Sequence, residues 1–228
     1  MKPIAYVHCG FSEKFGIPRQ SGLVERSEAH IVFEPEYRVR EALRGLDEFS
    51  HIWVIWQFHQ NVRETWSPTV RPPVLGGNKR VGVFATRSPF RPNAIGLSCV
   101  GLKRVIWDGE NGPELVITGA DMMDGTPVYD IKPYLAYVDS KPEAKGGFTE
   151  HNIKRTAHVE MTKEMKAKIP DKFIQEITEL LEQDPRPAYQ DDPDRIYGMT
   201  YRGITVKFRV QNQILEVTEV NSDGSIKV

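Results

Sequence analysis

The sequence predicts a mainly β first part followed by a small α+β module. The first part alternates short, apolar, β-rich segments with turns that contain Gly and Pro, a pattern typical of all-β domains. A polar stretch with Pro and Gly follows at 137–147 and indicates a boundary. Beyond it lie one amphipathic helix and two alternating strands. We therefore expect a first domain at 1–140 and a second at 148–228.

The strands of the first domain are predicted from apolar runs and from alternation of apolar and polar residues. They span 4–8, 29–33, 52–58, 95–105, 114–119 and 128–134. The run 52–58 is almost wholly apolar, so it is either buried on both faces or lines a barrel. Between the second and third strands, residue spacing favours a helix over 36–46, with Gly45 as its C-cap.

The most distinctive stretch of the first domain is 81–98, VGVFATRSPFRPNAIGLS. It begins as a strand and then turns at Ser88-Pro89 and at Arg91-Pro92, and each proline stiffens the chain before it. Arg87 and Arg91 are therefore held on a rigid loop. Rigid arginines suit a carboxylate, a phosphate or an RNA backbone, although a stiff hairpin with two solvated arginines explains the same residues equally well.

Other polar loops are candidates for ligand contacts, and each has a plain structural explanation. Pro18-Arg19-Gln20 is another stiffened arginine beside an amide, or an ordinary surface turn. His59-Gln60 follows the apolar strand directly, although a lone histidine is more often structural. Asp124 and Asp130 are suited to an ammonium group or ribose hydroxyls, or else to an Asx-turn and a surface strand.

In the second domain, Phe173, Ile177 and Leu181 share one face of a helix predicted over 171–182. Strands are predicted over 204–210 and 214–220 from their alternating apolar residues.

Composition excludes several classes of protein. The 228 residues carry a formal net charge of −1, with 39% hydrophobic and 27% charged residues, which is ordinary for a globular protein. No apolar run reaches membrane-spanning length, and the N-terminus does not resemble a signal peptide, so we expect a cytoplasmic protein. There is no GxGxxG, P-loop or GxSxG motif, and no spacing that suggests a metal site. Basic residues are concentrated between 63 and 91, where Glu64 is the one acidic residue. They are Arg63, Arg71, Lys79, Arg80, Arg87 and Arg91.

Five motifs together resemble one family. In chain order they are SHIWVIWQFHQ, TVRPPVLGG, GVFATRSPFRPNAIGLS, DGTPVYDIKPYL and DPRPAY, and they resemble the TsaA-like, or TrmO, family of tRNA methyltransferases. The resemblance implies a small antiparallel β-barrel as the catalytic domain. It also implies S-adenosylmethionine-dependent methylation of N6 of N6-threonylcarbamoyladenosine, at position 37 next to the anticodon of threonine tRNA. A homodimer with the cofactor near the subunit interface is implied as well, and no metal.

The resemblance also implies roles for individual residues. The cofactor-binding residues it implies are Pro18, Arg19, Gln20, His59, Gln60, Arg87, Leu97, Asp124, Gly125, Thr126 and Pro127. The residues expected to bind tRNA are Arg71, Lys79, Arg80, Arg91, Lys132 and Arg186. The candidates for a general base are Asp124, Asp130, His59 and Tyr134. Two departures from the family pattern are Pro89, where polar residues are also expected, and Ala94, which is often proline.

Two other functions remain compatible with the sequence. One is a non-catalytic RNA-binding β-barrel that binds a small adenosine compound, and the other is a phosphate-binding regulatory module. Because the cofactor motifs precede 137, we expect the second domain to position the tRNA. Its basic candidates there are Lys163, Lys166, Lys168, Lys172 and Arg186.

Overall fold

The structure is a computed structural model that describes residues 1–60, 65–76, 78–150, 156–187, 190, 192–222 and 224. In these ranges the strands are β1 (Ala5–Cys9), β2 (Glu28–Phe33), β3 (His51–Gln57), β4 (Thr69–Val70), β5 (Val81–Gly82), β6 (Ile95–Gly109), β7 (Gly112–Thr118), β8 (Thr126–Pro133), β9 (His158–Glu160), β10 (Tyr197–Tyr201), β11 (Ile204–Gln211) and β12 (Ile214–Ser222). The α-helices are α1 (Ala136–Asp139), α2 (Lys163–Lys166) and α3 (Asp171–Glu182). Within the described residues, no helix has the length and apolar character needed to cross a membrane.

The first part of the chain is a closed antiparallel barrel with the strand order β1-β2-β7-β6-β3-β8. Closure comes from β8, which pairs with both β1 and β3. The predicted mainly β fold and the β-barrel are thus confirmed. A closed barrel also leaves no unpaired edge strand.

Strand β3 explains why the sequence forms a barrel and not an open, doubly covered sheet. Its side chains alternate along the strand: Ile52, Val54 and Trp56 are buried, while the residues between them are half-buried. Of the two explanations for its apolar sequence, the structure shows the barrel-lining one. Register shifts in the β3–β8 ladder at Ile55/Trp56, and within β6–β7, bend the sheet as bulges do.

The helix predicted over 36–46 is wrong. The structure has 3₁₀ turns at Pro35–Tyr37, Arg40–Leu43 and Leu46–Glu48. Leu43 is the residue of these turns that is buried, so a longer helix would have little apolar surface to bury. Gly45 has φ of 82°, a left-handed conformation that suits glycine, but here it precedes the third turn.

The start of the stretch 81–98 also differs from the prediction. After the two-residue strand β5, the chain forms a 3₁₀ turn over Val83–Ala85. Val83 is buried, while Phe84 is 74% exposed. The apolar residues at 81–85 therefore do not continue as a strand, because their side chains do not share a buried face.

The second part of the chain packs α3 against a four-stranded sheet with the order β10-β11-β12-β9. Helix α3 has the predicted bounds, and Phe173, Ile177 and Leu181 are buried as expected. Strands β9 and β10 were not predicted. The three-residue β9 joins β12 in parallel, and β10 contains Gly198, so neither gives a clear alternating signal.

The two parts share one continuous cluster of buried apolar residues. At the contact, the rings of Phe11 and Tyr201 lie 4.9 Å apart. The backbone N–H of Arg202 donates to the Gly10 carbonyl at 2.8 Å, and its guanidinium donates to the Glu28 carbonyl at 2.9 Å. Buried apolar side chains therefore join the two parts of the chain. The domain boundary at 137–147 stays a prediction.

Gly10 permits this close approach, and that generates a stability prediction. A Cβ at Gly10 would lie 2.5 Å from Arg202 Cγ and 2.6 Å from Tyr201 Cε2, both in buried side chains. We expect Gly10→Ala to lower the free energy of unfolding by about 1–3 kcal/mol, measured by urea denaturation. The control is Gly198→Ala, where a Cβ meets nothing within 4 Å. Equal stabilities of the two variants would contradict the prediction.

Candidate functional site

A cavity of about 510 Å³ opens at one end of the barrel. The ends of β1 and β3 and the starts of β6 and β8 meet at this end. The loop over 14–20 and the segment 87–91 close its sides. Its lining residues are Lys14, Ile17, Pro18, Arg19, Gln20, Trp53, Trp56, Phe58, His59, Gln60, Arg87, Arg91, Ile95, Gly96, Leu97, Asp121, Met123 and Thr126.

The floor of the cavity is aromatic. Trp56 is buried, and its ring lies 4.3 Å from that of Phe58. Gly96 is the partner of Trp56 in the β3–β6 ladder, and a Cβ there would lie 2.2 Å from the indole ring. Glycine at this position therefore lets the indole lie against the backbone of β6, where it forms part of the cavity wall.

A chain of hydrogen bonds leads from this indole to a buried carboxyl group. Trp56 Nε1–H donates to Ser98 Oγ at 2.9 Å, and Ser98 donates to Asp121 Oδ1 at 2.5 Å. Burial raises the pKa of Asp121, while the bond from Ser98 and the positive charge of Arg87 oppose that rise. The cavity thus contains a carboxyl group that is held in place and removed from bulk water.

Sequence reasoning did not identify Asp121 or Ser98 as site residues. Asp121 follows β7 closely at the same end of the barrel, and Ser98 is a buried hydroxyl in the apolar strand β6. A buried polar residue in an apolar strand needs a hydrogen-bond partner, so Ser98 itself was the available signal. It did not indicate which partner.

Two of the three arginines that line the cavity are held by different partners. Arg87 Nη1 donates to Gln20 Oε1, which links the segment 87–91 to the loop over 14–20. Arg19 Nη2 donates to the carbonyl oxygens of Asp184 at 3.2 Å and Arg186 at 2.9 Å. The guanidinium of Arg19 is therefore tied to the second part of the chain.

His59 lies at the rim, and burial together with the nearby charge of Lys14 lowers its pKa. Its imidazole is therefore uncharged over more of the neutral range than that of an exposed histidine, whose pKa is about 6.5. An uncharged imidazole can accept a proton.

The cavity collects most of the residues expected to bind a cofactor. Those that line it are Pro18, Arg19, Gln20, His59, Gln60, Arg87, Leu97 and Thr126. Asp124, Gly125 and Pro127 do not line it. Asp124 Oδ1 instead accepts from the Cys9 N–H at 3.2 Å and lies 3.5 Å from His8 Nδ1. Pro127 pairs with Tyr6 in the β1–β8 ladder.

Among the candidate bases, His59 lines the cavity and the others lie elsewhere. Asp130 accepts from the Ile131 N–H at 2.9 Å and pairs with Lys132 at 2.8 Å. The ring of Tyr134 packs 5.7 Å from that of Trp53.

The residues expected to bind tRNA lie in several different places. Arg71, Lys79 and Arg80 are exposed on the segment that carries β4 and β5. Arg91 lies on the cavity wall, and Lys132 is exposed but paired with Asp130. Arg63, Ala188 and Tyr189, which belong to the basic run and to DPRPAY, lie outside the described residues.

Arg186 is the residue whose placement does not agree with its predicted role. Its side chain is 6% exposed, and its guanidinium forms two hydrogen bonds of 2.8 Å with the carboxylate of Asp184. A buried, bidentate pair of this kind holds a turn in place. A phosphate could reach Arg186 only if this pair opened.

No group of three or more His, Cys, Asp or Glu side chains in the described part of the chain is arranged to hold a metal ion. The ionisable groups at the cavity are the arginines, Lys14, His59 and Asp121. Together with the aromatic floor, these groups suit a ligand that carries a positive charge, a negative charge and an aromatic ring.

Comparison with known proteins agrees with this architecture. Residues 6–140 match the family model of the tRNA-methyltransferase O N-terminal domain, and residues 151–223 match that of the TrmO C-terminal domain. A tRNA (adenine(37)-N6)-methyltransferase of Escherichia coli (strain K12) is 41% identical over 225 residues, 94% of each chain. A protein of Pseudomonas aeruginosa is 40% identical over 207 residues, 87% of each chain, and its provisional name places it among S-adenosylmethionine-dependent methyltransferases.

A solved structure shows the same fold. The crystal structure of TrmO from Pseudomonas aeruginosa matches with a TM-score of 0.77 and 32% sequence identity, and the match covers 96% of this chain and 97% of that chain. These findings confirm the resemblance drawn from the five motifs. The chain belongs to the TrmO family of tRNA methyltransferases.

Proposed function

We propose that the chain is a tRNA methyltransferase that uses S-adenosylmethionine to methylate N6 of adenosine 37. The observation that carries this proposal is the cavity at the barrel end, which brings together Gln20, His59 and Arg87 from three distant segments of the chain. The names of the relatives support the same reaction. A tRNA substrate also supports a cytoplasmic location for the protein, because tRNA is modified in the cytoplasm.

The residues of the cavity fit S-adenosylmethionine. Arg87, held by Gln20, suits the carboxylate of the methionine part. The faces of Trp56 and Phe58 suit a flat base or a positively charged sulfur. The volume of about 510 Å³ lies in the range of small-molecule sites. When bound, S-adenosylmethionine supplies a methyl group on a positively charged sulfur atom.

The chain itself contributes two things to the reaction: it holds the two reactants in place, and it removes a proton. A bond forms between N6 of the adenine and the methyl carbon while the carbon–sulfur bond breaks, and the electron pair stays on sulfur. Holding the two reactants in line supplies much of the rate enhancement. N6 must also lose a proton. We infer that an imidazole nitrogen of His59 accepts it, because His59 is the sequence-predicted base that lines the cavity.

The finer substrate assignment, N6-threonylcarbamoyladenosine of threonine tRNA, rests on the family resemblance. The exposed cations Arg71, Lys79 and Arg80 support an RNA partner, since phosphates bind to clustered basic side chains. We further infer that the second domain positions the tRNA. Its lysines at 163, 166, 168 and 172 are exposed and suit the phosphate backbone.

A methyl-transfer assay tests the proposed function against the non-catalytic alternative. The purified protein is incubated with isotopically labelled S-adenosylmethionine and tRNA from cells that lack this enzyme, and the nucleosides are analysed by mass spectrometry. We expect one labelled methyl group on N6 of the modified adenosine. Binding of S-adenosylmethionine without transfer would instead support the RNA-binding barrel.

Arg87→Ala is expected to weaken S-adenosylmethionine binding by about ten- to a hundredfold, because a charge-assisted hydrogen bond to the carboxylate is lost. Isothermal titration measures the affinity. Arg40→Ala is the matched control, since Arg40 is also an exposed arginine in a hydrogen bond, here to Asp108 at 2.7 Å. Unchanged affinity in a folded Arg87→Ala protein would remove this residue from the site.

His59→Asn is expected to lower kcat by at least about a hundredfold, which is the usual contribution of a general base. The wild-type rate should fall as the pH drops through the pKa of His59, which lies below its ordinary value, because the protonated imidazole cannot accept a proton. The variant should lose this pH dependence. His51→Asn, at the other end of β3, serves as the control. A wild-type kcat that stays level as the pH is lowered from about 7 to the limit at which the protein remains folded would exclude the base role.

We also infer a homodimer, as the resemblance implies. Leu97 at the cavity rim, Tyr137 and Val138 are 56%, 83% and 44% exposed. The bond of 2.9 Å from Trp53 to Asp139 holds α1 against β3, the neighbour of the strand that carries Leu97. Closed twofold pairing is the commonest way to cover such a surface.

Light scattering at micromolar concentration should give twice the chain mass of 26.0 kDa. Tyr137→Asp should shift the protein towards a monomer, because it places a charge in the apolar contact. Ile196→Asp, at another residue that is 59% exposed, should leave the mass unchanged. A monomer mass for the wild-type protein would contradict the dimer.

A further inference from the structure

A second groove, of about 530 Å³, lies beside the cavity described above and shares Arg91 and Ile95 with it. These two residues line both spaces, so the groove and the cavity adjoin. Three aromatic residues, Trp66, Phe90 and Tyr129, line this groove. Sequence reasoning assigned none of the three to a site.

The groove has the chemistry of a nucleobase site. Aromatic side chains bind unstacked bases through their faces, and amides bind their edges. The hydroxyl of Tyr129 donates to Gln57 Oε1, which leaves the amide nitrogen of Gln57 to donate to an acceptor on a base. Asn93 contributes a second amide to the lining.

The walls of the groove are fixed by hydrogen bonds. The Ser67 N–H donates to the Phe90 carbonyl at 3.3 Å, and Ser67 Oγ donates to the Thr69 carbonyl at 2.6 Å. Arg91 Nη2 donates to the Thr86 carbonyl at 3.1 Å. The first bond joins the segment that carries Trp66 to the segment that carries Phe90, and the other two each hold one of these segments. The site is therefore preorganised, and little ordering is needed on binding.

The surroundings of the groove favour a polyanion. The stretch 65–94 contains five basic residues and no acidic residue. Trp66 and Phe84 are 49% and 74% exposed, and their rings stack at 6.2 Å with an angle of 26°. Exposed aromatic rings among cations are typical of surfaces that bind single-stranded nucleic acid.

We propose that this groove receives the adenine base that is methylated, and that Trp66 stacks against it. The inference rests on the function proposed above. Methyl transfer requires the acceptor nitrogen about 3–3.5 Å from the methyl carbon, so the target base must occupy space that adjoins the cofactor cavity. The groove that shares Arg91 and Ile95 with the cavity meets this requirement. Arg91 and Ile95 then border both reactants.

The test compares two RNA hairpins with the sequence of an anticodon stem-loop. One carries N6-threonylcarbamoyladenosine at the target position, and the other carries an abasic residue there. The full-length wild-type protein should bind the first hairpin more tightly. Trp66→Ala should weaken binding to the first hairpin by about ten- to a hundredfold, so that the two hairpins bind alike. Tyr129→Phe, which releases the Gln57 amide, should also reduce the preference for the first hairpin over the second.

Two controls separate a base contact from a general RNA contact. Arg80→Ala should weaken binding to both hairpins by the same factor, because phosphates are present in both. Tyr6→Phe, which removes a hydroxyl from a residue that lines a different groove, should change neither. An unchanged affinity for S-adenosylmethionine shows that each variant is folded. If Trp66→Ala keeps the wild-type preference, or weakens both hairpins equally, the inference is wrong. If the wild-type protein does not methylate the first hairpin, the proposed function fails instead.

Discussion

The contact between Trp56 and Gly96 is the constraint on which the site depends. Strand β3 pairs with β6 on one side and β8 on the other, and the indole lies where a Cβ of residue 96 would be. Any other residue at 96 would push the ring away or shift the register. Because a one-residue slip reverses every side chain of a strand, the contact also fixes which residues of β6 face the cavity. The same contact therefore forms the aromatic floor and fixes the register of β3 with β6.

The buried polar groups of the site depend on this contact as well. The indole N–H has Ser98 as its acceptor, and Ser98 in turn donates to Asp121. A buried carboxyl group is costly unless it accepts hydrogen bonds or lies near a positive charge. Both conditions are met here, since the charge of Arg87 acts on Asp121. The arginine that we assign to the cofactor carboxylate thus also reduces the cost of burying an acid beneath it.

The sequence predicted the regular elements better than it predicted the site. Helix α3 and the barrel strands have strong periodic patterns because each buries a continuous face. The turns after Pro35 bury little, so the spacing that favoured a helix there had no packing to support it. Arg87, Gln20 and His59 could be grouped only through the family resemblance, since their proximity arises from barrel closure. Asp121 and Trp66 carried no local signal, because their roles depend on neighbours distant in sequence.

The placement of Arg19 shows that the wall of the cavity depends on both parts of the chain. Arg19 lies on the cavity wall, yet it donates to the carbonyl oxygens of residues 184 and 186. The buried pair of Asp184 and Arg186 holds that turn in the conformation that presents these oxygens. The second part therefore supports the loop over 14–20, and through Gln20 it supports Arg87. Arg186, expected from sequence to contact tRNA, thus stabilises the wall of the cofactor cavity from behind. The turn at 184–186 therefore connects the second part of the chain physically to the shape of the cavity.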